Sequence, residues 1–466
     1  MKKVSAADFG PKFLKTRDYV MFSMARFSTS SVIGLTQGYM LIFYTAVIGI
    51  EPIAVGSMFL ISKILDGLYD PFIGAIVDKT HSRWGKMRPY MIFTAIPFGV
   101  LIILLFFPWK DMPYDGKIVY MYVTYILYTL LASLISVPLD GLPAVASPNG
   151  NERAKIISVS RVVGSAGEQV ALVLYTVFVL FMPLKDAFMW MGIIIGAIAP
   201  VFLIMGAVFV KERIPPAAEE NKFSDAVKYL FKNKQFLALI LGNFLTFFRN
   251  LVSAMIVYIA LYVYGNGSIN LLLVIPGTLT SLLGMLYAPK LKRKFDAKPL
   301  FFGATVFHSA ALILIFFAGY GVHWITMSVL LALAMAPVGI LNVVPHLMTI
   351  DTLDYWEDKT GKRQEGIAFA IVSLRSNVSS AFKDYFMAWL LTLFLFATPL
   401  NTVSDHNPLQ LDFTRRGLFY MFSIIPAVLN LLSLAPFSFY KLNEKRMAEI
   451  QASLKEKREK AGAKSD

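Results

Sequence analysis

The chain has 466 residues, 56% of them hydrophobic and 16% charged, with no cysteine and a formal net charge of +14. Soluble proteins carry about 25% charged residues, and a mean hydropathy of +0.61 implies more apolar surface than soluble domains can bury. This excludes a disordered chain, a disulfide-built secreted scaffold and most soluble enzymes, and leaves a polytopic membrane protein.

A membrane helix needs about 20 apolar residues. Twelve segments qualify in chain order: 19–48, 52–77, 90–108, 117–146, 156–183, 187–210, 236–264, 268–289, 299–319, 323–349, 366–397 and 415–440. The N-terminal stretch Met1–Arg17 is polar and basic, and the first apolar run is too long for a cleavable signal. With both termini in the cytoplasm, 33 of the 44 Lys and Arg fall in cytoplasmic segments. Only Lys110, Lys117, Lys185, Arg415 and Arg416 fall in outer loops. That asymmetry predicts the orientation in a cytoplasmic membrane. It also accounts for the basic charge without a nucleic-acid partner. Trp109, Trp190 and Trp324 fall at outer ends, as an interfacial aromatic belt requires. The tail, 441–466, reads as a charged cytoplasmic helix or, more simply, as a solvated polar tail.

The longest cytoplasmic connection, 211–235, separates an N-terminal bundle, 1–210, from a C-terminal bundle, 236–440. The expected fold is all-α: twelve transmembrane helices in two six-helix bundles, the major facilitator layout of related halves. An internal echo is faint. The short basic loops after spans two and eight, around Lys79–Arg88 and Lys290–Lys298, sit at matching places.

Charges inside spans cost at least about 2.5–3.5 kcal/mol each at mid-bilayer and default to function. They are Arg26, Lys63, Asp66, Asp70, Asp140, Arg161, Glu168, Arg249, Arg375, Lys383 and Asp384. Lys63, Asp66 and Asp70 share one face of span two. Two carboxylates one turn apart repel unless a cation or proton separates them. Pro71 has no N–H, so the Gly67 carbonyl loses its helical donor. Two carboxylates and a freed carbonyl suit a monovalent cation or a shared proton; the alternative is a structural Lys–Asp pair. Span five carries Arg161, Gly164 and Glu168 on one face. The glycine admits a ligand or a neighbouring helix, and the Arg161 fork suits hydroxyls or a carboxylate. A buried pair with Glu168 or Asp140 is an equal alternative. Arg249 and Arg375 lie deeper and carry no assignment, and no histidine is singled out.

Three stretches resemble the signatures of the glycoside–pentoside–hexuronide:cation symporter family. The first is Asp66-Gly-Leu-Tyr-Asp70-Pro-Phe-Ile-Gly-Ala-Ile-Val-Asp78, continuing to Arg83-Trp-Gly-Lys86-Met-Arg88-Pro89. The second follows span ten, from Asp351 through Asp354 and Glu357 to Arg363 and Gly366. The third runs from Pro138 through Pro143 to Asn151-Glu152-Arg153, in the loop after span four. They keep their order across both halves. The resemblance implies a sugar–cation symporter working by alternating access. It implies a cation site at Asp66 and Asp70 with Gly67 and the span-four hydroxyl, Ser133. It implies that Arg161 binds the sugar and that Asp78, Arg83, Arg88, Asp351, Asp354, Glu357 and Arg363 form an inner-gate charge network.

The remaining substrate positions depart from the family. Ser30 and Ser136 stand where sugar-binding carboxylates are found, with Asp140 one turn beyond Ser136. Asn377 replaces a lysine that links the two sites, Asn342 replaces an aromatic, and Ser373 is grouped with these substrate-facing positions. The departures weigh against a galactoside and toward an acidic sugar such as a hexuronide. The expected activity is cation-coupled import of a sugar, glycoside or sugar acid with Na+ or H+. No cofactor beyond the ion, no enzymatic activity and a monomer in the bilayer are expected. Two alternatives are a related symporter of a lipid-type or other non-sugar solute, and a non-transporting membrane sensor.

Overall fold

The computed structural model describes residues 13–80, 82–109, 112–213, 232–360, 365–398 and 410–462. Twelve long helical segments run through it. They are α1 (Thr16–Ile48), α2 (Pro52–Lys79), α3 (Arg88–Leu105), α4 (Tyr114–Ala146), α5 (Gly150–Glu168 continuing as Val170–Phe181) and α6 (Leu184–Phe209). Then come α7 (Lys234–Val263), α8 (Ile269–Phe295), α9 (Ala297–Ala318), α10 (Trp324–Thr360), α11 (Glu365–Leu393) and α12 (Asp412–Ser438). Ten are long and apolar enough to cross a membrane among the described residues. The other two, α2 and α11, have 28 and 29 residues and the reach to do so.

Local chemistry sets several starts. Pro52 and Pro89 occupy first-turn positions of α2 and α3, where a missing N–H costs nothing. The Asn233 side chain caps α7 by accepting from Gln235 N and Phe236 N at 3.1 and 3.2 Å. One signature stretch read as a loop in the sequence, the one from Asp351, is helical, and the prolines of another lie inside the fourth predicted span as expected. Pro138 and Pro143 lie inside α4, and Asp351–Thr360 is the end of α10. Prolines are tolerated in long membrane helices because neighbours re-satisfy the freed backbone. The polar turns of α10 prolong the helix instead of ending it.

The chain divides into two compact units, Met1–Ala218 with Leu395–Leu409, and Glu219–Phe394 with Gln410–Asp466. In the first, α1 packs on α5, α2 on α4 and α3 on α6. In the second, α7 packs on α11, α8 on α10 and α9 on α12. The pairings are the same, shifted by six helices. Both leading helices also end alike, in π-helical turns at Phe43–Ile48 and Ile259–Val263. The relationship between the halves, faint in sequence, is plain in structure. Close approach depends on glycine at the α8–α10 crossing. A side chain at Gly339 would run into the Ser281 carbonyl, and one at Gly284 into that of Ala336. Large apolar side chains such as Phe72, Phe181 and Phe317 point outward, the arrangement a lipid solvent permits.

The C-terminal tail is not a solvated strand of polar chain. Glu444–Gly462 forms a further helix, α13. Its Met447, Ile450 and Leu454, spaced three and four, are buried against Leu239, Met348, Phe437 and Tyr440. Three apolar residues on one stripe suffice to dock it, and the surrounding Lys and Glu mask that stripe in the composition.

Candidate functional site

In the first unit the polar centre lies on α2. Lys63 Nζ sits 2.9 Å from Asp66 Oδ2, with the Asp66 carboxylate only 9% exposed. Ser133 on α4 is buried beside the Asp70 carboxyl. The second oxygens, Asp66 Oδ1 and Asp70 Oδ1, are buried without a hydrogen-bond partner, as is the Ser62 hydroxyl one turn earlier. Gly67 lies between the carboxylates on an unbroken helix. Tyr128 on α4 closes the group on the α1 side, its hydroxyl 3.3 Å from Thr36 Oγ1 and its ring within the field of Asp66. Unmatched carboxylate oxygens in a buried place carry an open coordination capacity, since buried polar atoms are ordinarily satisfied.

The α1–α5 crossing decides what the span-five glycine does. A side chain on Gly164 would meet Arg26 and Ser30, and one on Gly167 would hit the Phe27 carbonyl. The glycines therefore admit a helix, α1. Ser30 is buried in that crossing, whereas Ser136, Asp140 and Arg161 are exposed. The Asp140 carboxylate pairs with Arg26, not with Arg161. Arg161 makes no ion pair among the described residues, so the α4–α5 pair weighed for it is not formed.

In the second unit Asn342 accepts from Arg249 Nη2 at 3.0 Å. Asn377 is half-buried on α11, and the Ser373 side chain lies outside the described ones. Asp351, 8% exposed, binds Lys292 Nζ of α8 at 2.9 Å, and the same ammonium reaches Glu444 Oε1 of α13 at 3.1 Å. One lysine thus ties three helices. Asp354 and Glu357 follow on the same helix, with Asp354 in the field of Asp351. Arg363 lies outside the described residues, as does the Asp78 side chain.

A sequence model of the family described as "MFS/sugar transport protein" matches residues 21–444. The chain belongs to that family. It is 29% identical over 454 residues to an uncharacterized symporter of Bacillus subtilis, covering 93% of this chain and 94% of that one. It is 22% identical over 449 residues to a glucuronide carrier protein homolog of Escherichia coli, covering 94% and 95%. Among solved structures, a D-xylose–proton symporter superposes with a TM-score of 0.61 at 16% identity, covering 91% and 99%. That likeness bears on the fold, which is the major facilitator fold. The family member described here is a multi-pass membrane transporter, not an enzyme.

The transporter uses its signature charges partly for construction. The Glu212 carboxylate, after α6, accepts from the N–H groups of Lys86, Met87 and Arg88 at 3.0, 2.9 and 3.2 Å. It caps α3, where free N–H groups and the helix dipole attract an anion. Gly85 has φ +99°, and a side chain there would collide with the same carboxylate. Among the described residues of its own unit Arg88 makes no ion pair. Its Nε and Nη2 donate to the Ala207 and Val208 carbonyls, the latter at 2.8 Å, closing the end of α6. Arg83 lies over the ring of its neighbour Trp84. Glu152 accepts from the N–H groups of Phe13 and Leu14 and from Ser147 Oγ. Nothing in the sequence marks Glu212, because one acid among several in a charged connection gives no signal. Its partners are 124 to 126 residues away. Glu212→Ala should cost about 2–3 kcal/mol by stranding those donors, and Glu212→Gln roughly half of that. Thermal unfolding midpoints in detergent check this order.

Proposed function

We propose that this transporter is a cation-coupled symporter of a sugar-type solute, importing it by alternating access. The observation that carries the reading is the charge balance on α2. With both carboxylates ionised, Lys63, Asp66 and Asp70 carry one net negative charge, and two carboxylate oxygens lack partners. One monovalent cation, Na+ or H+, neutralises the trio, with Ser133 and the Gly67 carbonyl as further oxygen ligands. The names of the relatives, a symporter and a glucuronide carrier homolog, support a sugar-type solute. The distribution of Lys and Arg supports an inner-membrane location with both termini cytoplasmic. The ion is the only non-protein group the reading needs, and the monomer suffices for it.

The test is reconstitution in liposomes with an imposed Na+ or H+ gradient and a panel of neutral and acidic sugars. Expected is accumulation of at least one sugar above equilibrium with one of the two gradients. Absence of both gradient-driven uptake and counterflow for every sugar would overturn the reading in favour of a non-sugar solute or a sensor.

A further inference from the structure

A second polar pocket lies wholly within the second unit. Arg249 on α7 and Arg375 on α11 line a cavity of about 180 Å³, walled also by Asn243, Asn342, His346 and Thr349. Arg249 is 7% exposed. Its Nη2 bonds Asn342, but its Nε and Nη1 are buried without an acceptor. Arg375 donates Nη1 to the Asn243 carbonyl at 3.1 Å, and its Nε is likewise buried and unmatched. Neither guanidinium makes an ion pair among the described residues.

The sequence explains the missing counter-charge. Asp296, in the turn before α9, is the only carboxylate between residues 236 and 350, and residues 366–383 have none. The nearest acids along α10 and α11 are engaged, Asp351 by Lys292 and Asp384 by Lys383 at 2.9 Å. A carboxamide and a carbonyl satisfy single N–H groups but leave two positive charges uncompensated. Buried charges in membrane proteins persist where they are paired or where they serve a ligand. The unmatched donors belong to planar forks, whose geometry fits a carboxylate or sulfonate. Pockets for whole ligands run to about 300 Å³ and above. This cavity therefore suits the anionic end of a solute better than a complete sugar.

We propose that Arg249 and Arg375 form the binding site for an oxyanion group of the transported solute, making the substrate a sugar acid. This rests on the symporter reading above and adds the substrate class to it. Asn342 orients Arg249, and Asn243 orients Arg375 through its backbone carbonyl.

The experiment uses the full chain, purified in detergent, and matched pairs of sugars. Glucuronate, galacturonate and methyl β-D-glucuronide are compared with glucose, galactose and methyl β-D-glucoside by calorimetry and by gradient-driven uptake in liposomes. At least one acid should bind on the order of tenfold or more tighter than its neutral counterpart. In Arg249→Gln and in Arg375→Gln that acid-to-neutral preference should collapse to near parity, as expected when one partner of a desolvated charge pair is truncated. Arg249→Lys, which keeps the charge but not the fork, should retain part of it. The ratio is the readout because misfolding lowers both members of a pair together; a size-exclusion profile identifies variants that fail to fold. The proposal is overturned if neutral sugars bind or are transported and no acid is preferred, or if folded variants lose both members of a pair equally. The symporter reading survives either result. If no sugar of either kind binds or drives cation flux, both fall.

Discussion

Asp70→Asn should abolish cation-driven accumulation while the protein still reaches the membrane. Removing this carboxylate leaves Lys63 and Asp66 as a neutral ion pair at 2.9 Å, with no residual charge to hold a coupling ion. Asp66→Asn arrives at the same balance from the other side, since Lys63 then faces Asp70 alone. A roughly hundredfold solute gradient represents about 2.7 kcal/mol of coupling free energy. An uncoupled carrier retains none of it, so the internal concentration settles at the external one. Uptake by cells or liposomes, with and without an imposed Na+ or H+ gradient, measures the loss. Counterflow on the same samples shows whether the carrier still exchanges solute. Undiminished accumulation by both variants would sink the cation-site assignment. The nearly isosteric substitution keeps the packing against Ser133 and Tyr128, so the expected result is loss of coupling rather than loss of fold.

The second large effect is on stability. Lys292→Met should destabilise the second unit by about 3–5 kcal/mol, because it leaves the Asp351 carboxylate buried without its cation. Side-chain exposures of 14% for Lys292 and 12% for Asp351 put little water in reach to replace it. The double variant Lys292→Met with Asp351→Asn should recover much of the loss, since it removes the unpaired charge as well as the pair. Glu444 also loses its ammonium in the single variant, so α13 should become the first site of proteolytic cleavage. Thermal midpoints and limited proteolysis in detergent report the two effects. A single variant as stable as the native chain, with α13 still protected, would show that the apolar stripe of Met447, Ile450 and Leu454 holds the helix unaided.

Both predictions use residues that differ in how visible they were. Asp66 and Asp70 stand out in the sequence because intramembrane charge is expensive and the spacing puts them on one face. Ser133 came forward only through the family resemblance, since a serine in an apolar run carries no cost that demands a reason. Tyr128 and Thr36, which complete the polar wedge between α1, α2 and α4, gave no sign at all. Lys292 was one basic residue among several at a loop, and nothing in its surroundings on the chain named Asp351 or Glu444 as its partners.

Two of the five basic residues outside the positive-inside pattern, Lys117 and Arg415, make the same point. Lys117 is 3% exposed and donates to the Ile48 carbonyl at 3.0 Å, where the π-helical end of α1 leaves free acceptors. Arg415 does the same for α7, donating Nε to the Tyr262 carbonyl at 2.8 Å. Cations at helix C-termini satisfy orphan carbonyls and the dipole together. Two apparent exceptions to a topological rule are helix caps at equivalent places in the two units. The pairing of Asp140 with Arg26 belongs here too, because residues 114 positions apart meet only after α1 and α4 have packed.

Sequence alone marked this chain as a polytopic membrane protein with twelve expected spans and an acidic pair on the second. Bilayer thickness and the cost of buried charge act on each segment separately, so both are written locally. Tertiary structure alone decided which helices pair, which glycines admit a neighbour, that the tail docks, and where each arginine and lysine finds its acceptor. A membrane helix is apolar on every side and shows no stripe to reveal its partner. The acceptors are carbonyls, carboxamides and carboxylates contributed by distant parts of the chain. The +14 charge is therefore two populations: a basic surface fixed by topology, and a small buried set whose meaning depends on what each charge faces.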